Sequence, residues 1–248
     1  MAKPLIYQIT NTVSAQMQAD CTALLGGLSI MSRNVREAKQ IAEASDALLI
    51  NIGTPPENAL ELYCEAASGA SSKGRPMALD LVGFGFSDFR THAAKELLSK
   101  FKFSVVKGNH AEIAALCGRA AAPRGVSCDG AEKEMAAVTK ECAAHLGCVV
   151  FATGAQDFVS DGARDFIIGG GSALMNRTSG FGCALGSAAA LFCANQRPLD
   201  ASRRALRLFR GAAHKAERTA KGAYSFRINF MDMLAELSDA KERTKNGR

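Results

Sequence analysis

The chain has 248 residues, of which 48% are hydrophobic and 22% charged, with a formal net charge of +6 and a mean hydropathy of 0.00. A chain of this length and composition can bury a sizeable core, so we expect a soluble globular protein. No uninterrupted apolar run approaches the roughly 18 residues that span a bilayer, which excludes membrane insertion.

Eight cysteines lie in apolar contexts without regular spacing, and the N-terminal segment MAKPLIYQIT lacks the pattern of a signal peptide. We therefore expect a reducing, cytoplasmic compartment in which most thiols serve as small core residues. The cysteines are Cys21, Cys64, Cys117, Cys128, Cys142, Cys148, Cys183 and Cys193.

Part of the positive charge comes from the segment KERTKNGR at 241–248, which has no apolar residue to bury. We expect a disordered tail there, after a single domain that spans residues 1–240. Arg203, Arg207 and Arg210 fall on one stripe of a predicted helix. Because no aromatic residues interleave with these charges, we interpret the stripe as a solvated helix face and expect no nucleic-acid binding.

Short apolar runs alternate with longer helical patterns along the chain, which is typical of a parallel sheet covered by helices. Each run is almost continuously apolar, as in strands that are buried on both faces. The predicted strands are Pro4–Thr10, Ala47–Gly53, Pro76–Gly83, Phe103–Gly108 and Cys148–Gly154. The predicted helices between them are Val35–Ala44, Pro56–Ala67, Phe89–Phe101 and Ala131–His145.

The pattern changes after the last of these strands. The segment DFVSDGARDFIIGG predicts a β-hairpin around Asp161 and Gly162. Two further helices are predicted near Ala201–Lys221 and Ile228–Lys241. Between the hairpin and these helices, the segment RTSGFGCALGSAAALF places Cys183 at the start of a helix of small residues.

Polar residues and glycines follow each of the five predicted strands. Ligands bind beyond the carboxyl ends of the strands in open parallel sheets, so these residues predict a ligand-binding edge. They are Thr10-Asn11, Gly53-Thr54, Asp80 with Gly83, Lys107-Gly108-Asn109 and Thr153-Gly154.

Three of the charged residues near this edge favour the binding of a polyanion. Asp80, Lys107 and Glu112 would provide two carboxylates and a cation, as Mg-nucleotide chemistry requires. Two structural alternatives remain: Asp80 could cap the following turn, and Asn109 with Glu112 could form a capping box. The capping box is compatible with a place at the same edge.

The segment SGFGC offers a cradle for the anion itself. Its glycines let consecutive N–H groups converge, and the helix that follows adds its positive N-terminal end. Two other chemistries fit the sequence poorly. Cys142, His145 and Cys148 offer only three zinc ligands at a helix end that runs into a strand. No G-x-S-x-G nucleophile elbow is present in the sequence, which argues against hydrolase chemistry.

Seven motifs follow one another along the chain: QITNTV, LSIMS, DALLINIGT, LDLVGFG, FSVVKGNHAEIAAL, VVFATGAQDFVSDG and SGFGCAL. In this order they resemble the hydroxyethylthiazole kinase family of the ribokinase-like superfamily. The resemblance implies a three-layer α/β/α fold with a mostly parallel central sheet and no separate lid domain. It also implies a thiamine-salvage homotrimer that uses ATP and Mg²⁺ to phosphorylate the primary alcohol of 4-methyl-5-(2-hydroxyethyl)thiazole.

The resemblance also assigns residues to the alcohol substrate. Met31 would form an apolar wall against the thiazole, Asn11 would be a neighbouring polar residue, and Gly180 would contact the substrate through its backbone. Cys183 stands where many related sugar and vitamin kinases have an aspartate base. Positioning and charge neutralisation supply most of the acceleration in phosphoryl transfer, so a thiol can serve there.

The nucleotide and metal are assigned in the same way. Lys107, Thr153 and Gly182 would bind ATP, and Asp80 and Glu112 would bind Mg²⁺.

Several positions depart from the pattern of the family. Lys107 replaces an arginine, which exchanges a bidentate phosphate ligand for a point charge. Phe181 replaces the second threonine of T-G-T-G-C, so a bulky ring is expected beside the phosphate cradle. These departures keep two alternatives open: a protein that binds thiazole or nucleotide without efficient turnover, and a kinase for a different vitamin-precursor alcohol.

Overall fold

The fold is seen in a computed structural model, which describes residues 2–119 and 129–246, without the side chains at 129–131 and 240–246. An eight-stranded sheet runs through this part of the chain in the order β2-β1-β3-β4-β5-β6-β7-β8. Strands β1 to β6 are parallel, and β7 and β8 add an antiparallel hairpin at one edge. The strands are β1 (Leu5–Ile9), β2 (Leu28–Ile30), β3 (Ala47–Asn51), β4 (Met77–Asp80), β5 (Val105–Asn109), β6 (Val149–Thr153), β7 (Asp157–Ser160) and β8 (Asp165–Ile168).

Helices cover both faces of the sheet. They are α1 (Ala15–Leu24), α2 (Val35–Ala44), α3 (Ala59–Ser72), α4 (Asp88–Lys100), α5 (His110–Leu116), α6 (Asp129–Leu146), α7 (Phe181–Cys193), α8 (Pro198–Glu217) and α9 (Ala223–Asn246). A short 3-10 helix at Ala173–Arg177 precedes α7. The predicted α/β class with a mostly parallel sheet is therefore confirmed, as are the five parallel strands and the hairpin. No separate lid domain is present within residues 2–119 and 129–246.

The sheet divides the core into two layers. One apolar cluster lies under α1, α7, α8 and α9, and the other lies under α2 to α6. Helix α7 is rich in alanine and glycine and is buried along most of its length, so its backbone lies close to β1, β3 and β4. This close approach brings the N-terminus of α7 to the carboxyl edge of the sheet.

Strand β2, helix α1 and the 3-10 helix were not predicted from the sequence. Strand β2 has only three residues and pairs with β1 at the edge of the sheet. Helix α1 has no apolar stripe because it buries the polar residues Gln18 and Thr22. These side chains join Gln8 of β1 and Ser187 of α7 in one buried network. Ser187 Oγ lies 2.6 Å from Gln8 Oε1 and 3.0 Å from Gln18 Oε1, and both oxygens are acceptors for its single proton.

Two predictions concern the ends of the described segments. Helix α9 extends to Asn246, and residues 247–248 of the predicted tail lie outside the described residues. Cys128, expected to be a core thiol, also lies outside them. No helix in the described part of the chain is long and apolar enough to cross a membrane.

The packing of α2 on α3 yields a stability test. A Cβ atom at Gly69 of α3 would lie 2.4 Å from the carbonyl oxygen of Lys39 in α2, whereas at Gly211 of α8 it would meet only Leu237 Cδ1 at 3.4 Å. Both glycines are helical, so alanine gains about 1 kcal/mol of helix propensity at either site. We expect Gly69→Ala to lower the free energy of unfolding by about 1–3 kcal/mol through overpacking. Urea denaturation should show Gly211→Ala at or above wild-type stability; equal effects of both variants would contradict the close packing.

Candidate active site

The carboxyl ends of three neighbouring strands hold three polar side chains side by side. Asn51 of β3 pairs in register with Asp80 of β4, and Asp80 pairs with Lys107 of β5. Paired residues of parallel strands project to the same face, and here that face is the one covered by α7. A Cβ atom at Gly186 of α7 would lie 3.2 Å from Asp80 Oδ2, so the helix contacts the carboxylate.

Asp80 and Lys107 form a buried ion pair at this position. Lys107 Nζ donates to Asp80 Oδ1 over 2.8 Å, and the two residues are 5% and 0% exposed. Burial raises the pKa of Asp80 above its ordinary value, against the opposing effects of the Lys107 charge and the Asn51 N–H group. Burial lowers the pKa of Lys107, but the negative charges around it, above all Asp80, raise it by more, so the ammonium stays charged.

Glu112 is held at the next loop by a capping box. The Asn109 side chain accepts from the backbone N–H of Glu112 over 2.9 Å, and Glu112 Oε2 accepts from the backbone N–H of Asn109 over 2.7 Å. Glu112 Oε1 accepts from the N–H of Gly83 over 2.8 Å, which ties the loop after β4 to α5. Burial raises the pKa of Glu112, while the Lys107 charge acts against this shift. The capping box, which the sequence left open as an alternative, is present.

The start of α7 faces this charged group. Gly180 is the N-cap, and its φ of 111° requires glycine. The first turn of a helix leaves its N–H groups without intrahelical acceptors, so the N-terminus of α7 is suited to an anion. A Cβ atom at Gly182 would lie 3.6 Å from Lys107 Nζ, so the ammonium lies beside this turn.

Cys183, one residue further along α7, is half-buried and contacts Asn11. Asn11 Nδ2 donates to Cys183 Sγ over 3.3 Å. The structure therefore brings together six residues that the sequence suggested for the site: Asn11, Asp80, Lys107, Glu112, Gly182 and Cys183.

The sequence predicted that the Phe181 ring would lie beside the phosphate cradle, but the ring is directed into the core instead. It is 3% exposed and packs on two rings of α9, with centroids 4.8 Å from Phe230 and 5.6 Å from Phe226. The ring thus belongs to the core under α7, and it anchors the helix start to α9. Phe181, together with Gly180 and Gly182, also lines the cavity beside the cradle.

A cavity of about 700 Å³ opens beside the cradle. Thr153, Gly180 and Gly182 line it together with the loop after β8. Thr153 Oγ1 donates to the carbonyl oxygen of Gly108 over 3.3 Å. Met31 lies elsewhere: it follows β2, on the far side of β1 from the cavity, and is half-buried.

Arg210 corrects one expectation from the sequence. Its Nε donates to Asp157 Oδ2 over 2.6 Å, and its terminal nitrogens donate to the carbonyl oxygens of Gly170 and Gly154 over 2.6 and 2.8 Å. The side chain is mostly buried and lines the cavity, so it does not belong to a solvated face as predicted. It joins the turn after β6 to the loop after β8.

Two site residues were missed or left without a role. Asn51 ends an otherwise apolar strand, ALLIN, and this lone amide was the one signal that could have revealed it.

Thr54 has a φ of 36°, the only positive value among the described residues other than glycine. Its Oγ1 accepts from the backbone N–H of Thr12 over 3.0 Å, which ties the loop after β3 to the loop after β1. Such strain is found at functional sites more often than elsewhere.

Comparison with known proteins identifies the family of this chain. The sequence model of the hydroxyethylthiazole kinase family matches residues 1–240. The chain belongs to the hydroxyethylthiazole kinase family. It is 35% identical over 243 residues to a hydroxyethylthiazole kinase of Methanosarcina acetivorans, covering 98% of this chain and 93% of that protein. The kinase of that name from Pyrococcus horikoshii is 36% identical, with 98% and 91% covered.

Solved structures agree with the family. The hydroxyethylthiazole kinase of Pyrococcus horikoshii OT3 superposes with a TM-score of 0.87 at 35% identity, covering 94% of this chain and 88% of that one. The pyridoxal kinase of Bacillus subtilis superposes with a TM-score of 0.64 at 15% identity, covering 85% and 91%. The second likeness shows a shared fold.

The position of Phe181 can be tested by truncating its ring. We expect Phe181→Thr to lower the free energy of unfolding by about 3 kcal/mol or more, as for other buried phenylalanines, and not to increase turnover. Phe86, which is 85% exposed, supplies the control, and Phe86→Thr should change stability by no more than about 0.5 kcal/mol. Urea denaturation measures both variants. A small loss at Phe181 together with a gain in turnover would show that the ring obstructs the cradle.

Proposed function

We propose that the protein transfers the γ-phosphoryl group of ATP to the primary alcohol of 4-methyl-5-(2-hydroxyethyl)thiazole. The observation that carries this proposal is the convergence of Lys107, the first turn of α7 and Cys183 at the carboxyl edge of the sheet. Family membership supports the same activity. In the reaction the alcohol oxygen forms a bond to the γ-phosphorus, the bond to ADP breaks, and the alcohol proton is released.

The phosphate half of the site consists of Lys107 and the start of α7. The ammonium and the free N–H groups of the first turn stabilise negative charge on the transferring phosphoryl group. Asp80 holds Lys107 in place through the 2.8 Å ion pair. Lysine offers a point charge where the family has the bidentate guanidinium of arginine. The buried ion pair with Asp80 keeps the Lys107 ammonium in one orientation.

The alcohol half of the site consists of Cys183, Asn11, Gly180 and Met31. Cys183 orients the substrate hydroxyl and assists the release of its proton. Asn11 keeps the sulfur in position through its N–H group, 3.3 Å away. Gly180 contacts the substrate through its backbone, and Met31 offers an apolar wall for the thiazole from the neighbouring strand.

Asp80 and Glu112 fit Mg²⁺ as its ligands from the protein. Their oxygens are the ligand type that Mg²⁺ prefers, and one or two carboxylates suffice when phosphate oxygens and water complete the shell. Each of the four oxygens accepts one N–H group, so each keeps a lone pair. The bound ion would neutralise charge on the phosphates.

The cavity lined by Thr153, Gly182 and Arg210 is suited to the nucleotide. It adjoins the cradle at Gly180 and Gly182, and its volume of about 700 Å³ is in the range of ligand pockets. Arg210 shapes its wall by holding Gly154 and Gly170.

We propose in addition that the protein is a homotrimer, as the family resemblance implies, and that it acts in the cytoplasm. Two apolar side chains support an interface near the alcohol half. Val13, two residues after Asn11, is 66% exposed, and Leu28 on the edge strand β2 is 50% exposed. Light scattering after size-exclusion chromatography tests the oligomeric state.

The activity is tested by incubating the protein with ATP, Mg²⁺ and hydroxyethylthiazole and detecting the phosphorylated alcohol by mass spectrometry. A pyrimidine alcohol serves as the comparison substrate. We expect ADP formation that depends on the thiazole and stops when EDTA removes the metal. Preferential turnover of the pyrimidine would assign a different vitamin-precursor alcohol, and binding without turnover would overturn the proposed activity.

The role of Cys183 follows from its contact with Asn11. We expect Cys183→Ser to lower kcat by less than about 10²-fold, the lower end of what a general base contributes, because a hydroxyl can still accept from Asn11 and orient the alcohol. Steady-state kinetics measure the change. Cys64→Ser, on helix α3 away from the site, is the control and should retain wild-type kcat. A loss of several orders of magnitude would show that the thiol is a full base.

Arg210 should matter to the nucleotide through the geometry of its guanidinium. Lysine cannot reach Asp157, Gly154 and Gly170 together, so we expect Arg210→Lys to raise the KM for ATP about tenfold and to leave the KM for the alcohol nearly unchanged. Arg207→Lys, on the exposed part of the same helix, is the matched control. Equal KM values for ATP in the two variants would remove Arg210 from the nucleotide site.

A further inference from the structure

The two halves of the site are joined by one buried chain of hydrogen bonds. Cys183 Sγ accepts from Asn11, Asn11 donates to Asn51, Asn51 donates to Asp80, and Asp80 accepts from Lys107. Beyond the contact of Asn11 with the sulfur, the remaining three links measure 3.0, 2.8 and 2.8 Å. Asn51 is the central member of the chain and is 1% exposed.

The backbone determines which way the Asn51 amide points. Asn51 Oδ1 accepts from the backbone N–H of Gly53 over 3.0 Å. A backbone N–H can only donate, so the oxygen of Asn51 must face Gly53. The Nδ2 group therefore faces Asp80, where it donates to Oδ2 over 2.8 Å. An amide in the opposite orientation would place its oxygen against the carboxylate.

The same argument orients Asn11. Its Oδ1 accepts from the backbone N–H of Ser14 over 3.0 Å and from the Ser14 hydroxyl over 2.9 Å. The Nδ2 group of Asn11 therefore faces both Asn51 Oδ1 and Cys183 Sγ. Because Asn51 Oδ1 accepts one N–H of this group, the second N–H is left for the sulfur.

We infer that Asn51 is a positioning residue, which together with Ser14 sets Asn11 as an N–H donor to Cys183 and at the same time holds Asp80 as the acceptor for Lys107. Asn51 acts only through these neighbours and contacts neither substrate itself. Its role deepens the proposed kinase function and rests on it. The amide supplies an acceptor toward the alcohol half and a donor toward the phosphate half, so the two halves can be disturbed separately.

Two variants of Asn51 separate these effects. Asn51→Asp keeps an oxygen for Gly53 and Asn11 but turns the group facing Asp80 into a carboxylate oxygen. Asn51→Leu keeps the branched shape of the side chain and removes both functions. Asn11→Ala removes the donor to the sulfur and leaves the contact of Asn51 with Asp80 in place. Asn51→Ala serves in place of the leucine variant should the latter fail to fold by circular dichroism.

The first readout is the rate at which iodoacetamide alkylates Cys183, followed by peptide mass spectrometry. Loss of an N–H donor removes stabilisation of negative charge on sulfur, so we expect Asn51→Leu and Asn11→Ala to slow alkylation about fivefold, which corresponds to one hydrogen bond. Asn51→Asp should stay within about twofold of wild type. Equal rates for the aspartate and leucine variants would overturn the inference.

The second readout is kcat in a double-mutant cycle. Misplaced reacting groups cost about 10²-fold, so we expect this loss in Asn51→Leu. Adding Asn11→Ala should cost much less than it does alone, because Asn51 acts through Asn11 on this side. Additive losses would contradict the role. The alkylation comparison needs no turnover, so it tests Asn51 even if hydroxyethylthiazole is not phosphorylated, and that result would overturn only the proposed function.

Discussion

The buried ion pair between Asp80 and Lys107 is the interaction on which the rest of the site depends. Removing two charges from water costs several kcal/mol for each ion, and only good geometry with additional hydrogen bonds offsets that cost. The register of β3, β4 and β5 provides this geometry by placing Asn51, Asp80 and Lys107 side by side. A shift in the register of β4 or β5 would separate Asp80 from Lys107 and leave an uncompensated charge in the core. The ion pair therefore requires each strand to keep its register.

Helix α7 completes the site because its small residues let it lie against the sheet. Glycines at 182 and 186 leave room for the Lys107 ammonium and the Asp80 carboxylate, respectively. The same approach brings the first turn of the helix and Cys183 beside the pair. Phe181 stabilises this placement from the other side, through the rings of α9. Packing and electrostatics therefore act on the same few residues at the helix start.

The two departures from the family pattern have different structural outcomes. At Lys107 the ammonium is held in one position by Asp80, 2.8 Å away. At Phe181 the larger side chain turns into the core and leaves the backbone of the cradle in place. Neither substitution removes a group that the proposed phosphoryl transfer uses, which favours an active kinase over a protein that only binds its ligands.

Sequence patterns alone predicted the alternation of strands and helices. They also proposed the carboxyl edge of the sheet for the site, with the motif residues Asp80, Lys107, Glu112 and Cys183. Apolar runs and helical periodicity are local properties, so they can be found without a structure. The pairing of Asp80 with Lys107, the inward turn of Phe181, and the contacts of Asn51 and Arg210 are visible only in the tertiary structure. These depend on which side chains meet across strands and helices distant in the chain, and no local pattern records such contacts. Strand β2 and helix α1 were not predicted for the same reason. Strand β2 is held by its pairing with β1, and helix α1 is held by a buried polar network.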